Sequence, residues 1–317
     1  MATTTVSSTM TPASNKVGRS VAVCLFKVTD IPDAMRKMNW PVAADLMQHW
    51  FDGKPWPNTD DGGMAELVKS HDEFAPEEYI NETIVTMSWA MTFDRTKAAV
   101  DSLRNRWNNP AAQEHLRRKV LLPAYKDKEP GVYPFKFSKA SEVERVGCAN
   151  SETIVFNQSG DDDVNELRAA LANFNVHVFA DGNISVTQES ITLIPERIGF
   201  YVEDSYDFND GWFEPSQALG YWNFDGLETS FKKGFSQNSD VRMKQNSIAF
   251  QARGGLSPEQ AQEMNALEHK HYMFVQNGDF RDYRKSSGKG GDFRVYSDIL
   301  YENVSAAPIE FPKNDAN

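Results

Sequence analysis

From Phe174 to Val202 apolar side chains recur at every second position, and this run constrains the fold more than any other feature of the chain. Phe174, Val176 and Val178 form one set, Ile184 and Val186 a second, and Ile198, Phe200 and Val202 a third. A period of two puts each set on one face of an extended chain, so the pattern predicts strands with one covered side. Asp181-Gly182, between the first two sets, predicts a hairpin turn. Further strands are expected at 272–275 and 293–300, after a helix at 258–269 capped by Ser257.

The first half reads differently. Thr29-Asp30 opens a helix with Pro32 in its first turn, and Pro41 starts another. In that second helix Val42, Leu46 and Trp50 recur every four residues, with Ala43, Met47 and Phe51 beside them. Residues 52–63 have loop chemistry throughout. Val85, Met87, Trp89, Met91 and Phe93 alternate with smaller or polar residues and predict a half-buried strand. Asp94 is placed to cap a helix bearing Ala99, Val100, Leu103 and Trp107, and Asn109-Pro110 begins one more helix through Leu122. A short strand is expected at 21–26, loop over 124–160 and a helix at 164–172. The expected class is α+β: a disordered tail (1–18), a mainly helical domain (19–150), and a β-rich domain (151–317) built on a curved, half-barrel-like antiparallel sheet with helices.

Charge separates the two halves. The chain has 33 basic against 45 acidic side chains, a net of -12, and all of that excess falls in residues 151–317. An acidic chain is poorly suited to neutralising phosphates, which argues against nucleic acid as a partner. The 40% hydrophobic content is too high for a disordered polymer. Two cysteines, Cys24 and Cys148, are too few for a disulfide framework. No stretch approaches the ~18 apolar residues of a spanning helix, so no transmembrane segment is expected. Residues 1–15 lack a basic start and an apolar core, so the chain is expected in the cytoplasm unless a dedicated machine exports it.

Two polar clusters could carry chemistry. Glu203-Asp-Ser-Tyr-Asp-Phe-Asn-Asp210 follows the strand ending at Val202. Continued alternation would carry Asp204 and Tyr206 onto the covered face of Phe200 and Val202, where polar groups are costly unless partnered. Clustered carboxylates suit a divalent cation or a base beside a phosphate; an acidic strand-end turn explains them equally well. The second cluster, Asn277 to Lys289, concentrates Arg281, Arg284, Lys285 and Lys289 beside a glycine-rich turn. It could grip phosphate through guanidinium forks, or its arginines could pair with Asp279, Asp282 or the acidic strand end. His269 and His271, two apart with no close third ligand, make a weak metal signal.

One combination of motifs is specific. Ile31-Pro-Asp-Ala-Met-Arg-Lys-Met-Asn-Trp-Pro-Val-Ala-Ala44, Asp204-Ser-Tyr-Asp-Phe-Asn209, Leu219-Gly-Tyr-Trp222, Asn277-Gly-Asp-Phe-Arg281 and Gly290-Gly-Asp-Phe293 occur together. This set resembles a bacterial family of unknown function that occurs with type VI secretion genes. The resemblance covers about residues 20–300. It implies a secretion-delivered antibacterial effector, with a cognate immunity protein and the secretion apparatus as partners, or an accessory protein of such a locus. Asp204-x-Tyr206-Asp207 is also similar to the signature of the colicin M family, toxins that cut lipid II between prenol and pyrophosphate with a metal such as Mg2+. That signature carries a His-Arg pair nine and ten residues after its first Asp, where this chain has Phe213 and Glu214.

The leading expectation is therefore an effector delivered into the target periplasm, where it hydrolyses a phosphate-containing envelope substrate. Asp204 and Asp207 would hold the metal or act as base, and Tyr206 would orient them. His271 and Arg281 would replace the missing pair, and Arg284, Lys285, Lys289 and Asn277 would bind substrate. A non-enzymatic adaptor with Trp40, Trp50, Trp107 and Trp222 as anchors is the alternative. A third is a glycosidase using two of Glu203, Asp204 and Asp207.

Overall fold

The computed structural model describes residues 25–147, 150–156, 164–210, 216–252 and 255–314. The expected tail, most of the strand at 21–26, both cysteines, Phe213 and Glu214 lie outside these residues. The described fold is α+β, built on a curved half-barrel mixed sheet.

Helices α1 (Ile31–Lys37) and α2 (Pro41–Asp52) begin where the prolines place them. A first-turn amide has no intrahelical acceptor, so proline loses nothing there. α2 turns Ala43, Leu46, Met47, Trp50 and Phe51 into the core. The loop after it leads to α3 (Glu66–Lys69) and the short strand β1 (Ile80–Asn81).

The strand expected at 84–93 is a helical turn, α4 (Met87–Ala90). Thr86 caps it, its hydroxyl accepting from the Trp89 amide at 3.2 Å. Ala90 is buried along with Val85 and Met87. A tight cap thus overrides an alternation that also fits one helical turn. α5 (Asp94–Arg104) buries the expected Ala99, Val100 and Leu103, with Phe93 and not Asp94 at the N-cap. Asn109 caps α6 (Pro110–His115), its side chain accepting from Ala112 N at 2.8 Å. The helix expected to continue through Leu122 passes through a π-helical segment, Leu116–Leu121, before α7 (Leu122–Tyr125).

The segment expected as loop contains β2 (Gly131–Phe135), α8 (Ala140–Val146) and β3 (Asn150–Ile154). Phe135 and Ile154 are the one buried residue of each strand, so neither shows an apolar alternation to read. Both pair with β4 (Phe174–Val186), which follows α9 (Glu166–Leu171). β4 and β5 (Ser190–Tyr206) form the long hairpin at the centre of the fold.

The turn of that hairpin is not at Asp181-Gly182. β4 runs straight through those residues, and the register with β5 shifts there as a bulge. A Cβ on Gly182 would lie 2.1 Å from the Ile194 carbonyl oxygen, so the two backbones approach too closely for any side chain. The chain reverses instead at 187–189, where Thr187 Oγ1 accepts from the amides of Glu189 and Ser190.

A second, three-stranded sheet has the order β7-β6-β8: β6 (Ala218–Asn223) lies between β7 (Gly226–Glu228) and β8 (Met273–Gln276). Helices α10 (Phe231–Gln251) and α11 (Pro258–Glu268) connect β7 to β8, with Ser257 capping α11 as expected. α12 (Asn277–Ser287) then leads to β9 (Phe293–Tyr296), β10 (Leu300–Asn303) and β11 (Ile309–Pro312). In the large sheet the path is β1-β9-β5-β4-β2, with β10 and β11 on β5, β3 on β4, and β1 parallel to β9. One apolar cluster runs from Ile31 to Phe311 and draws on α1, α2, α5, β4, β5 and β9. Of the four tryptophans considered as anchors, Trp50 and Trp222 are buried in this cluster, and Trp40 and Trp107 pack half-buried against it.

Candidate functional site

The last residues of β5 present two different faces. Tyr201, Glu203 and Ser205 point to one side, and Val202, Asp204 and Tyr206 to the other, as the alternation predicts. β9 pairs alongside, with Asp204 opposite Val295 and Tyr206 opposite Phe293.

On the Asp204 side, Tyr206 enters the apolar cluster and stacks on Phe293 at 5.1 Å. Burial and the nearby Asp204 hold its phenol firmly protonated. Among the described residues no hydrogen bond joins its hydroxyl to Asp204 or Asp207. Asp204 keeps part of its surface in solvent, yet desolvation, and then the charges of Glu203 and Asp207, push its carboxyl well above the ordinary range. Asp207 is also raised, again by burial first. Its Oδ1 accepts from Asn209 N at 3.0 Å and lies 4.0 Å from Lys69 Nζ, an attraction that partly offsets the burial.

Glu203, on the other side, is fully occupied. It is paired with Arg294 and accepts from Asn175 Nδ2 at 2.9 Å. His177 Nε2 lies 3.6 Å from its Oε2, while His177 Nδ1 lies 3.5 Å from Glu144. Burial alone would raise the Glu203 carboxyl, but the His177 contact and the Arg294 charge outweigh it and hold the pKa at about 2. Arg294 is itself bound to the Val68 carbonyl and to Ser205 Oγ at 2.7 Å. Glu203 therefore belongs to a buried structural network, which leaves Asp204 and Asp207 as the available carboxyls.

The basic cluster does meet the acidic strand end, as ion pairs within the fold. Arg281 Nη2 lies 2.6 Å from Asp210 Oδ2, and its Nη1 donates to the Phe208 carbonyl at 3.0 Å. Asn277 Nδ2 donates to Asp210 Oδ1 at 2.9 Å. Asp210 loses solvent on burial, but the Gln217 amide and Arg281 keep its carboxyl below the ordinary range. Arg284 is buried, 2% exposed, and pairs with Asp292 while its Nε donates to the Gly290 carbonyl at 2.8 Å. Asp292 also accepts from Trp50 Nε1 (2.8 Å), Met64 N (2.9 Å) and Asn209 Nδ2 (3.1 Å). Lys285 and Lys289 are exposed near the end of α12, in no ion pair among the described residues. His271 lies between α11 and β8, with no hydrogen bond or ion pair to Asp204 or Asp207.

The structure thus brings Asp204, Tyr206 and Asp207 together, ties Asn277 and Arg281 to Asp210, and locks Arg284 into the core. Lys69 was not among the expected site residues. It sits at the end of a four-residue helix, and nothing in the sequence links it to a strand end well over a hundred residues away. No three His, Cys, Asp or Glu side chains among the described residues converge as a metal-binding group. A cation here would rest on Asp204 and Asp207 alone, with water and substrate oxygens completing the shell, which magnesium accepts.

Residues 26–311 match a family of unknown function (DUF6402), and the chain belongs to that family. No curated protein and no solved structure matches the chain.

Proposed function

We propose that this chain is a type VI secretion-associated antibacterial effector that hydrolyses a phosphate-containing envelope substrate, with lipid II as the specific candidate, at the end of β5. The observation that carries the reading is the pair Asp204 and Asp207. Burial pushes both carboxyls upward, the charge of Asp207 adds to the rise at Asp204, and neither is consumed by a buried arginine. A carboxyl raised by burial keeps its proton to higher pH than an ordinary surface aspartate, which suits it to general acid–base work.

In this reading Asp204, protonated, gives its proton to the leaving oxygen as the phosphorus–oxygen bond breaks. Asp207 takes the proton of the attacking water. Lys69 supplies positive charge to the phosphate oxygens, the role first expected of Arg281 and Arg284, whose guanidiniums are held by Asp210 and Asp292. With both carboxyls ionised, the same pair could instead hold a divalent cation, which would screen the phosphate charge in place of the Asp204 proton. Tyr206 shapes the apolar wall behind Asp204.

The test is expression in a sensitive bacterium with and without a periplasmic signal. Killing confined to the periplasmic form supports an envelope substrate; killing confined to the cytoplasmic form would redirect the chemistry to a cytoplasmic target. A second reading, an adaptor of the same kind of locus, is favoured by the absorption of Arg281 and Arg284 into structural pairs. It expects no killing from either compartment and co-purification with a neighbouring gene product.

A further inference from the structure

α10 is apolar on two opposite sides. Its Val241 and Ile248 pack with Leu267 of α11, and a Cβ on Gly234 would meet the ring of Tyr221 at 2.7 Å. The other side is uncovered: Phe231 is 66% exposed, Phe235 63% and Met243 64%. At 100° per residue these three fall within about 120° of arc, and Lys232 and Arg242 fall inside the same arc. Phe231 and Phe235 stack at 6.3 Å, and Phe231 also packs on the buried ring of Tyr221, which contacts Phe274 on the edge strand β8.

The charge around this stripe is opposite to that of the molecule. α10 carries Lys232, Lys233, Arg242 and Lys244 against a single acid, Asp240, while the chain as a whole is at -12. At physiological salt charges are screened over about 8 Å, so acids distant from α10 offset this charge little, whereas Glu268 of α11, which accepts from Gln245 at 2.7 Å, is close enough to do so. Exposed phenylalanines and methionine interleaved with long basic side chains match an interfacial helix: the rings enter the headgroup boundary while the lysine and arginine stems reach anionic phosphates. No helix among the described residues is long and apolar enough to cross a membrane, so such an association would lie on the surface.

We infer that α10 docks this protein onto an anionic phospholipid surface through Phe231, Phe235 and Met243, with Lys232 and Arg242 engaging the headgroups. The inference rests on this face alone and does not require the β5 site to be catalytic. The experiment is flotation of the full chain with vesicles of phosphatidylglycerol and phosphatidylethanolamine, and with vesicles of phosphatidylcholine. Wild type should float with the anionic vesicles at least about tenfold more than with the neutral ones, and less as salt rises. The variant F231E/F235E should lose that binding at least about tenfold while keeping its melting curve, because both side chains are exposed. K232E/R242E should lose the preference for anionic lipid. Equal flotation of wild type and F231E/F235E, or none with anionic vesicles, would overturn the inference. A concentration-dependent dimer removed by F231E/F235E, without lipid binding, would assign the face to a second copy and overturn it too.

Discussion

The indole Nε1 of Trp50 donates a 2.8 Å hydrogen bond to Oδ1 of Asp292, joining α2 to the turn that enters β9. The same carboxylate neutralises buried Arg284 and accepts from Met64 and Asn209, while the Asp292 carbonyl accepts from Trp56 Nε1 at 2.6 Å. One side chain therefore ties α2, the loop after it, α12 and the end of β5 into a fixed arrangement.

Asp292→Ala should cost about 3–5 kcal/mol, because it strands Arg284 as an uncompensated buried charge. Arg281→Ala removes a pair at the partly exposed edge and should cost about 1 kcal/mol or less. Urea unfolding of the two variants measures the contrast. Similar losses would mean that the Asp292 cluster is not the buried latch described.

The glycines before Asp292 are fixed by contact. Gly290 has φ of 97°, and a Cβ there would lie 2.6 Å from the Trp50 ring; one on Gly291 would lie 2.3 Å from the Lys54 carbonyl oxygen. Gly290→Ala and Gly291→Ala should each destabilise by more than about 2 kcal/mol through strain and overpacking. Gly288, at φ 67° with open space around it, should lose only about 1 kcal/mol on change to Ala. Thermal melts rank the three.

Much of the fold was legible where local chemistry decides it. Pro32, Pro41, Asn109-Pro110 and Ser257 mark real helix starts, and the alternation from Phe174 to Val202 marks the two central strands. Elements set by distant partners were not legible. β2 and β3 have one buried residue each and exist because β4 offers its edge. Asp181-Gly182 carries a turn signature, but the bidentate contact of Arg197 with Asp181 and the close approach at Gly182 make it a bulge. The site shows the same division. Alternation carried Asp204 and Tyr206 to the correct face, whereas no spacing rule announces that Asp292 would claim Arg284 or that Lys69 would reach Asp207.

Stability should depend on pH in opposite senses at neighbouring residues. Glu203 is held at about 2, below its ordinary 4.5, so its contribution is present above the ordinary value and is lost as pH falls toward 2. Asp204 is raised, so its native form favours the proton, and stability falls as pH rises through its folded pKa. Asp204→Asn should flatten the loss on the alkaline side and keep the acid loss. Glu203→Gln should shrink the acid loss and destabilise at pH 7 by about 3 kcal/mol. Denaturant midpoints across pH 3–8 test both; an Asp204→Asn profile parallel to wild type contradicts the assignment.

In the proposed reaction Asp204 acts in the chemistry at the end of β5. The most direct test of this role is the toxicity of a periplasm-directed Asp204→Ala variant beside wild type, with folding verified by an unchanged cooperative melt. Wild type should kill, and the variant should lose at least about a hundredfold, in the range expected for removing a general acid. A folded Asp204→Ala protein that kills as well as wild type would contradict it.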